Sequence, residues 1–179
     1  MIISRFYLIS TILLLSIIVL VSGCTQKLNN ITEQAPRVDI YYSFGTQAEN
    51  NILDTKNNLY VKALTGCNPP SKEYAVKLSN AEKTSIYNSI LENGLLKIKS
   101  NYTENCDGKG RCKGVIPYSS GTLTVFIDGE TKTFKYSSDY FNEDDPDFKK
   151  LGKFRGVISD IIQQKEKEMN IQKPCVGII

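Results

Sequence analysis

The chain has 179 residues, a formal net charge of +3, five cysteines, no tryptophan and no histidine. A charge that small leaves no electrostatic footprint for nucleic acid. Without histidine there is no Ser-His-Asp or Cys-His catalysis, no histidine metal ligation and no histidine pH switch, so carboxylates, lysine, tyrosine or a Ser–Lys pair would have to carry any chemistry.

In chain order, the first feature is a leader. Arg5 precedes an apolar run from Phe6 to Val21, broken only by Ser10, Thr11 and Ser16, and the small residues Ser22 and Gly23 stand before Cys24. One positive charge, an apolar segment and small residues at a cut site are the parts of a signal peptide. An uncleaved anchor is the alternative, although the run falls short of the ~20 residues that span a bilayer without adjustment. Val21-Ser22-Gly23-Cys24 resembles the lipobox of bacterial-type lipoproteins, and the resemblance covers residues 1–25. It implies removal of residues 1–23 and a lipid on Cys24, a thioether-linked diacylglyceride with further acylation of the palmitate kind. More than one acyl chain gives durable anchoring. The implied location is the extracytoplasmic side of the cell envelope, held to the membrane through Cys24. In a two-membrane cell, Thr25 rather than Asp after the cysteine implies the outer membrane.

Residues 24–37 read as the lipidated cysteine and a polar tether, 38–173 as a single domain, and 174–179 as a C-terminal tail. Such a domain buries about two thirds of the surface its unfolded chain exposes. Four cysteines remain after Cys24: Cys67, Cys106, Cys112 and Cys175. An even number in an oxidising compartment reads as two disulfides with three possible connectivities. The favoured pairing is Cys106 with Cys112, across a Gly-rich loop that bends back easily, and Cys67 with Cys175. A zinc site is the alternative, but zinc cysteines come as close pairs and these do not.

Val38, Ile40, Tyr42 and Phe44 alternate on one face of a half-buried strand ended by Gly45, with residues 47–51 as loop. Residues 59–64 read as a second strand, and the prolines at 69 and 70 forbid regular structure before a third at 74–78. Ser79-Asn80-Ala81-Glu82 is a capping box opening a helix from Asn80 to about Asn93, with Ile86, Ile90 and Leu91 inward and Gly94 as a left-handed stop. Residues 95–98 pack the chain back onto the core. Residues 101–121 form a long loop. Residues 122–127 and 131–136 flank Asp128-Gly129, the strongest short hairpin signal, which pairs Leu123 with Phe134 and Val125 with Lys132. Asp145 caps and Pro146 opens a last helix to about Met169, with Phe148, Leu151, Phe154, Ile158, Ile161 and Ile162 inward. Gly152 and Gly156 suggest a kink or a close backbone approach.

The expected fold is α+β, an antiparallel sheet of about five strands with two helices on one face, in the order ββ(β)α-loop-ββα. This layout, with the Leu78-Ser79 helix start and the Thr124-Val125-Phe126-Ile127-Asp128-Gly129 hairpin, resembles small envelope lipoprotein domains of unknown function. The resemblance spans residues 38–169 and implies no activity, so no catalytic or metal-binding residue and no cofactor follows from it.

Four features could carry function. The disulfide-braced loop 101–121 is the expected binding surface, with Asp107, Lys109, Arg111, Lys113 and Tyr118 as its candidate contacts. The acidic run at 142–147 could hold Ca²⁺ or paired carboxylates, but it lacks calcium-loop spacing, and acidic residues suit a helix N-terminus in any case. Lys149, Lys150, Lys153 and Arg155, joined by Lys165 and Lys167, could face an anionic surface or simply be solvated. The tyrosines at 41, 42, 60, 74, 87, 102, 118, 136 and 140 could line a glycan or peptide groove, although strand propensity explains most of them. The sequence therefore points to a lipid-tethered, non-catalytic module that binds an envelope protein or glycan. An inhibitor of a secreted hydrolase, and an enzyme using Asp144 or Asp145, are the alternatives.

Overall fold

The computed structural model describes residues 36–46, 49–107, 109–114, 119–142 and 144–175. The leader, Cys24 and most of the tether lie outside the described residues, as do Tyr118, Glu143 and residues 176–179. Among the described residues no helix is long and apolar enough to cross a membrane.

The fold is α+β. Strands β1 (Val38–Thr46), β2 (Glu49–Asp54), β3 (Leu59–Ala63), β4 (Ser71–Ala75), β5 (Asn101–Tyr102), β6 (Ser119–Ile127) and β7 (Glu130–Ser137) form one sheet of order β4-β3-β2-β1-β6-β7-β5. Every neighbouring pair is antiparallel except β5 with β7, which is parallel. The sheet is therefore mixed and larger than the expected five antiparallel strands. The expected loop at 47–51 is corrected by β2. Its first residues, Glu49-Asn50-Asn51, carry no apolar signal, yet the strand pairs with β1 on one side and β3 on the other. Strand β5 is two residues long, too short to show any period.

The alternation read in β1 is the one that builds the core. Tyr74, Tyr60, Leu53, Tyr42, Leu123 and Phe134 follow one another in cross-strand register over β4, β3, β2, β1, β6 and β7. All but the half-buried Tyr74 are buried. Where β2 ends, Thr55 prolongs the pairing: its N–H donates to the Ile40 carbonyl (3.0 Å) and its hydroxyl oxygen accepts from the Ile40 N–H (2.8 Å). The β6–β7 hairpin has the expected register, Leu123 with Phe134 and Val125 with Lys132, and both turn residues have positive φ, 49° at Asp128 and 90° at Gly129. On the opposite, more exposed face, Thr124 and Thr133 share a hydroxyl hydrogen bond of 2.9 Å. The third strand lies earlier than expected. Val76 and Leu78 are buried but sit beyond the ladder, and the Val76 N–H turns to the Asn58 carbonyl (2.8 Å). Alternation reports which side chains face inward, and a chain leaving the sheet keeps that pattern.

Helix α1 (Asn80–Glu92) opens on the expected capping box, with the Glu82 N–H donating to Ser79 Oγ (3.2 Å) and the Ser79 N–H to Glu82 Oε2 (2.6 Å). Gly94 has φ 58° and leads into a 3₁₀ turn, Leu95–Lys97. The inward set is Ile86, Ser89 and Ile90; Leu91, expected inside, is 53% exposed. One residue advances a helix by about 100°, which carries Leu91 off the face that Ile90 buries. Helix α2 (Pro146–Glu168) buries Leu151, Phe154, Ile158, Ile161 and Ile162, each contributing roughly 1.5–3 kcal/mol by leaving water, and leaves Phe148 half-buried. Gly152 and Gly156 are exposed on an unbroken helix and an added Cβ would meet open space at both, so neither marks a close approach. The apolar residues of both helices join the inward residues of the sheet in one core.

Both disulfides have the expected pairing. Cys67–Cys175 joins residues 108 apart, and Cys106–Cys112 residues six apart.

Candidate functional site

The loop between β5 and β6 is organised from within. The Asp107 N–H donates to the Arg111 carbonyl (2.8 Å) and the Gly110 N–H to the Asp107 carbonyl (3.0 Å), closing a turn inside the Cys106–Cys112 ring. The Asp107 carboxylate fills the concave side. It accepts from the Lys109 N–H (3.0 Å), the Arg111 N–H (2.8 Å) and Arg111 Nε (2.7 Å), and pairs with Arg111 Nη2 at 2.7 Å. Burial raises the pKa of this carboxyl, but the Arg111 and Lys109 donors outweigh it and hold the group below the usual carboxylate range. The loop leans on the body of the domain through the Phe141 N–H, which donates to the Glu104 carbonyl (2.8 Å), and through Arg111, 5.8 Å from the Phe141 ring centroid.

Of the five candidate contacts, Asp107 is thus a structural centre and Arg111 is tied to it. Lys109 stands exposed at the tip, and the Lys113 N–H secures the base by donating to the Asn105 carbonyl (2.7 Å). Tyr118 lies outside the described residues. The outward features of the loop are the Lys109 side chain, the backbone around Gly110 (φ 79°) and one face of Arg111. A closed turn with its polar groups already paired loses little conformational freedom when a partner docks against it.

The acidic run is dispersed onto cations. Asp144 is exposed and pairs with Lys149 (2.8 Å), and Asp147 pairs with Lys150 (2.9 Å). Asp145 caps α2 by accepting from the N–H groups of Asp147 (2.9 Å) and Phe148 (3.4 Å), accepts from the Tyr140 hydroxyl (2.9 Å), and pairs with Lys99 (2.7 Å). These carboxylates do not converge, and among the described residues no group of three or more acidic or cysteine side chains is placed to hold a metal ion. The basic residues of α2 do not act as one stripe either, since Lys149 and Lys150 serve the acidic run and Lys165 pairs with Glu82 of α1 (3.0 Å). Five of the tyrosines, 42, 60, 102, 136 and 140, are buried and belong to the hydrophobic core.

A second concave feature was not legible in the sequence. A groove of about 750 Å³ runs between β3, the end of α2 and the C-terminal segment, lined among others by Lys62, Glu166, Lys167, Asn170, Gln172 and Lys173. Glu166 is fixed by Lys62 (2.7 Å) and by the Tyr60 hydroxyl, whose pKa is pushed up by burial and by Glu166. The outer wall has no regular structure. It is held by buried Ile171, by the Gln172 N–H donating to the Tyr74 hydroxyl (3.3 Å), by the Cys175 N–H donating to the Thr65 carbonyl (2.9 Å) and by the Cys67–Cys175 bridge. Only the favoured cysteine pairing hinted at it, by bringing the tail back to residue 67.

No model of a known protein family matches the chain, and no curated protein matches it.

Proposed function

We propose that the protein is an envelope lipoprotein, anchored through lipid on Cys24, whose folded domain is a binding module that meets its partner through the Cys106–Cys112 loop. The observation that carries this reading is that all four cysteines beyond Cys24 are paired. Such pairing persists in oxidising compartments and agrees with the exported location that the lipobox implies. The lipobox-like segment supports the anchor, and Thr25 after the cysteine supports an outer-membrane location in a cell with two membranes. The partner is another envelope component, protein or glycan. The loop supports a contact role because it is exposed, closed and internally satisfied.

Metabolic labelling of intact cells with an alkyne-tagged fatty acid tests the anchor. The wild-type chain should take up label and sediment with membranes, and Cys24→Ser should do neither. A labelled, membrane-bound Cys24→Ser chain would overturn it. In-cell crosslinking from Lys109 should capture one reproducible, saturable neighbour, and capture of abundant bystanders alone would remove the loop assignment.

The rigid turn also favours a second reading, an inhibitor of a secreted hydrolase that inserts the 107–111 segment into the enzyme's cleft. Replacing Cys106 and Cys112 by alanine would then abolish inhibition while the fold persists.

A further inference from the structure

Arg155, half-way along α2, stands apart from the other cations of that helix. Its guanidinium lies 3.6 Å from the ring centroid of Tyr136, and its Nε donates to the Tyr42 hydroxyl at 3.2 Å. The Tyr42 and Tyr136 hydroxyls share a hydrogen bond of 3.0 Å. Both tyrosines are buried, 4% and 3% exposed, and Phe44 stacks on Tyr42 with ring centroids 4.6 Å apart. The backbone makes room for this arrangement: a Cβ on Gly121 would lie 2.2 Å from the Tyr136 hydroxyl oxygen.

Counting hydrogens exposes an imbalance. A guanidinium only donates, and each phenol carries one O–H. The bond between the two phenols consumes one of their two protons, whichever way it runs. The other proton finds no acceptor among the described residues. Arg155 makes no ion pair among the described residues, and its only hydrogen bond there is the one from Nε, so its Nη groups are uncommitted. Burial raises the Tyr136 pKa against the opposing pull of Arg155, so its hydroxyl keeps its proton. The cluster therefore offers a half-exposed, planar cation, held on the Tyr136 ring with its Nη groups free, beside a phenol proton that has no acceptor among the described residues. An unmatched donor on a buried phenol is unfavourable, and a guanidinium held in place is pre-organised for two-point contact with an oxyanion.

We propose that Arg155, Tyr42 and Tyr136 form a receptor for one oxyanion, the carboxylate or phosphate group of a small anionic ligand. The site is separate from the Cys106–Cys112 loop and does not depend on the lipid anchor. The contrast with Lys149, Lys150 and Lys165 is direct, because each of those is already matched to a carboxylate.

The test uses the full chain in neutral-detergent micelles, titrated with inorganic phosphate and separately with acetate, against chloride at matched ionic strength. The readouts are the NMR signal of the arginine Nε–H groups and, for comparing variants with wild type, the backbone amide signals of residues 42, 136 and 155. Saturable movement of the Arg155 signal in the millimolar range, with Arg37 and Arg111 unmoved, is the expected result. Arg155→Lys keeps the charge and removes the fork, and should weaken binding about tenfold. Tyr42→Phe removes the oxygen that accepts from both Arg155 Nε and the Tyr136 hydroxyl, so neither donor is held in place, and should weaken binding by several fold. Stronger binding of phosphate, or of acetate, supports the receptor equally and tells which oxyanion it prefers. The proposal is overturned if the Arg155 signal follows ionic strength alone up to about 100 mM. It is also overturned if Arg155→Lys binds either anion as tightly as wild type.

Discussion

Replacing Cys67 and Cys175 together by serine opens a ring whose ends are 108 residues apart in sequence. Loop-closure entropy restrains the unfolded chain by about 4.8 kcal/mol for a ring of that size, against about 2.4 kcal/mol for the Cys106–Cys112 ring. A domain of this length has a total stability of roughly 5–15 kcal/mol, so the long bridge is a large share of it. At about 3–5 °C per kcal/mol, Tm should fall by roughly 14–24 °C for the Cys67/Cys175 pair and by about half that for Cys106/Cys112. The assay is urea unfolding followed by tyrosine circular dichroism, with a thermal scan beside it. The long-ring variant should also show a steeper urea dependence, because its released unfolded state exposes more surface. Equal losses for the two variants, or a larger loss for the short ring, would refute the reasoning, since the predicted order comes from ring size alone.

Gly121→Ala should destabilise the domain by about 1–3 kcal/mol, because the new methyl would sit 2.2 Å from the Tyr136 hydroxyl oxygen and 2.6 Å from the Ser43 carbonyl oxygen; a neutral result in urea unfolding would contradict that packing. Ser79→Ala removes one half of the capping box and should cost about 1 kcal/mol by the same assay, with the fold unchanged. The Asp145 carboxyl is pushed up by burial but held at about 2 by Lys99, Tyr140 and the α2 N–H groups. Its folded pKa is thus below the ~3.9 of an unfolded aspartate, so its contribution is complete above about pH 4 and disappears as pH falls toward 2. Asp145→Asn should flatten the acid limb of Tm between pH 4 and 2, and an unchanged limb would remove Asp145 from the account.

The elements that could be read from sequence are those in which local chemistry and burial agree. The Asp128-Gly129 turn fixed a register that the sheet repeats pair for pair, and Ser79 and Asp145 announced their helices through hydrogen bonds made within one turn. Strand β2 escaped because its first residues are polar and its strand character comes from neighbours on both sides. Leu91 was misplaced because α1 buries Ser89 as well as isoleucines, a choice set by what the helix packs against. The candidate sites divide along the same line. The short disulfide was visible in a seven-residue stretch, while the Glu166 groove and the Arg155 cluster are assembled from residues about 100 apart, such as Lys62 with Glu166 and Tyr42 with Arg155.

The place of β1 in the sheet also bears on how the sheet can be closed. It is the first strand of the domain to emerge and forms a meander with β2, β3 and β4 from local sequence. Its other edge belongs to β6, in register from Val38 with Ile127 to Thr46 with Ser119. Until residue 127 has appeared, that edge is a row of open backbone donors and acceptors carrying Ile40 and Tyr42, the kind of surface on which chains pair with one another. Closing it requires bringing together segments about 80 residues apart, a slow step by loop-closure arguments. Any state in which β1–β4 have paired without β6 therefore exposes the backbone edge of β1, the edge that β6 covers in the finished sheet.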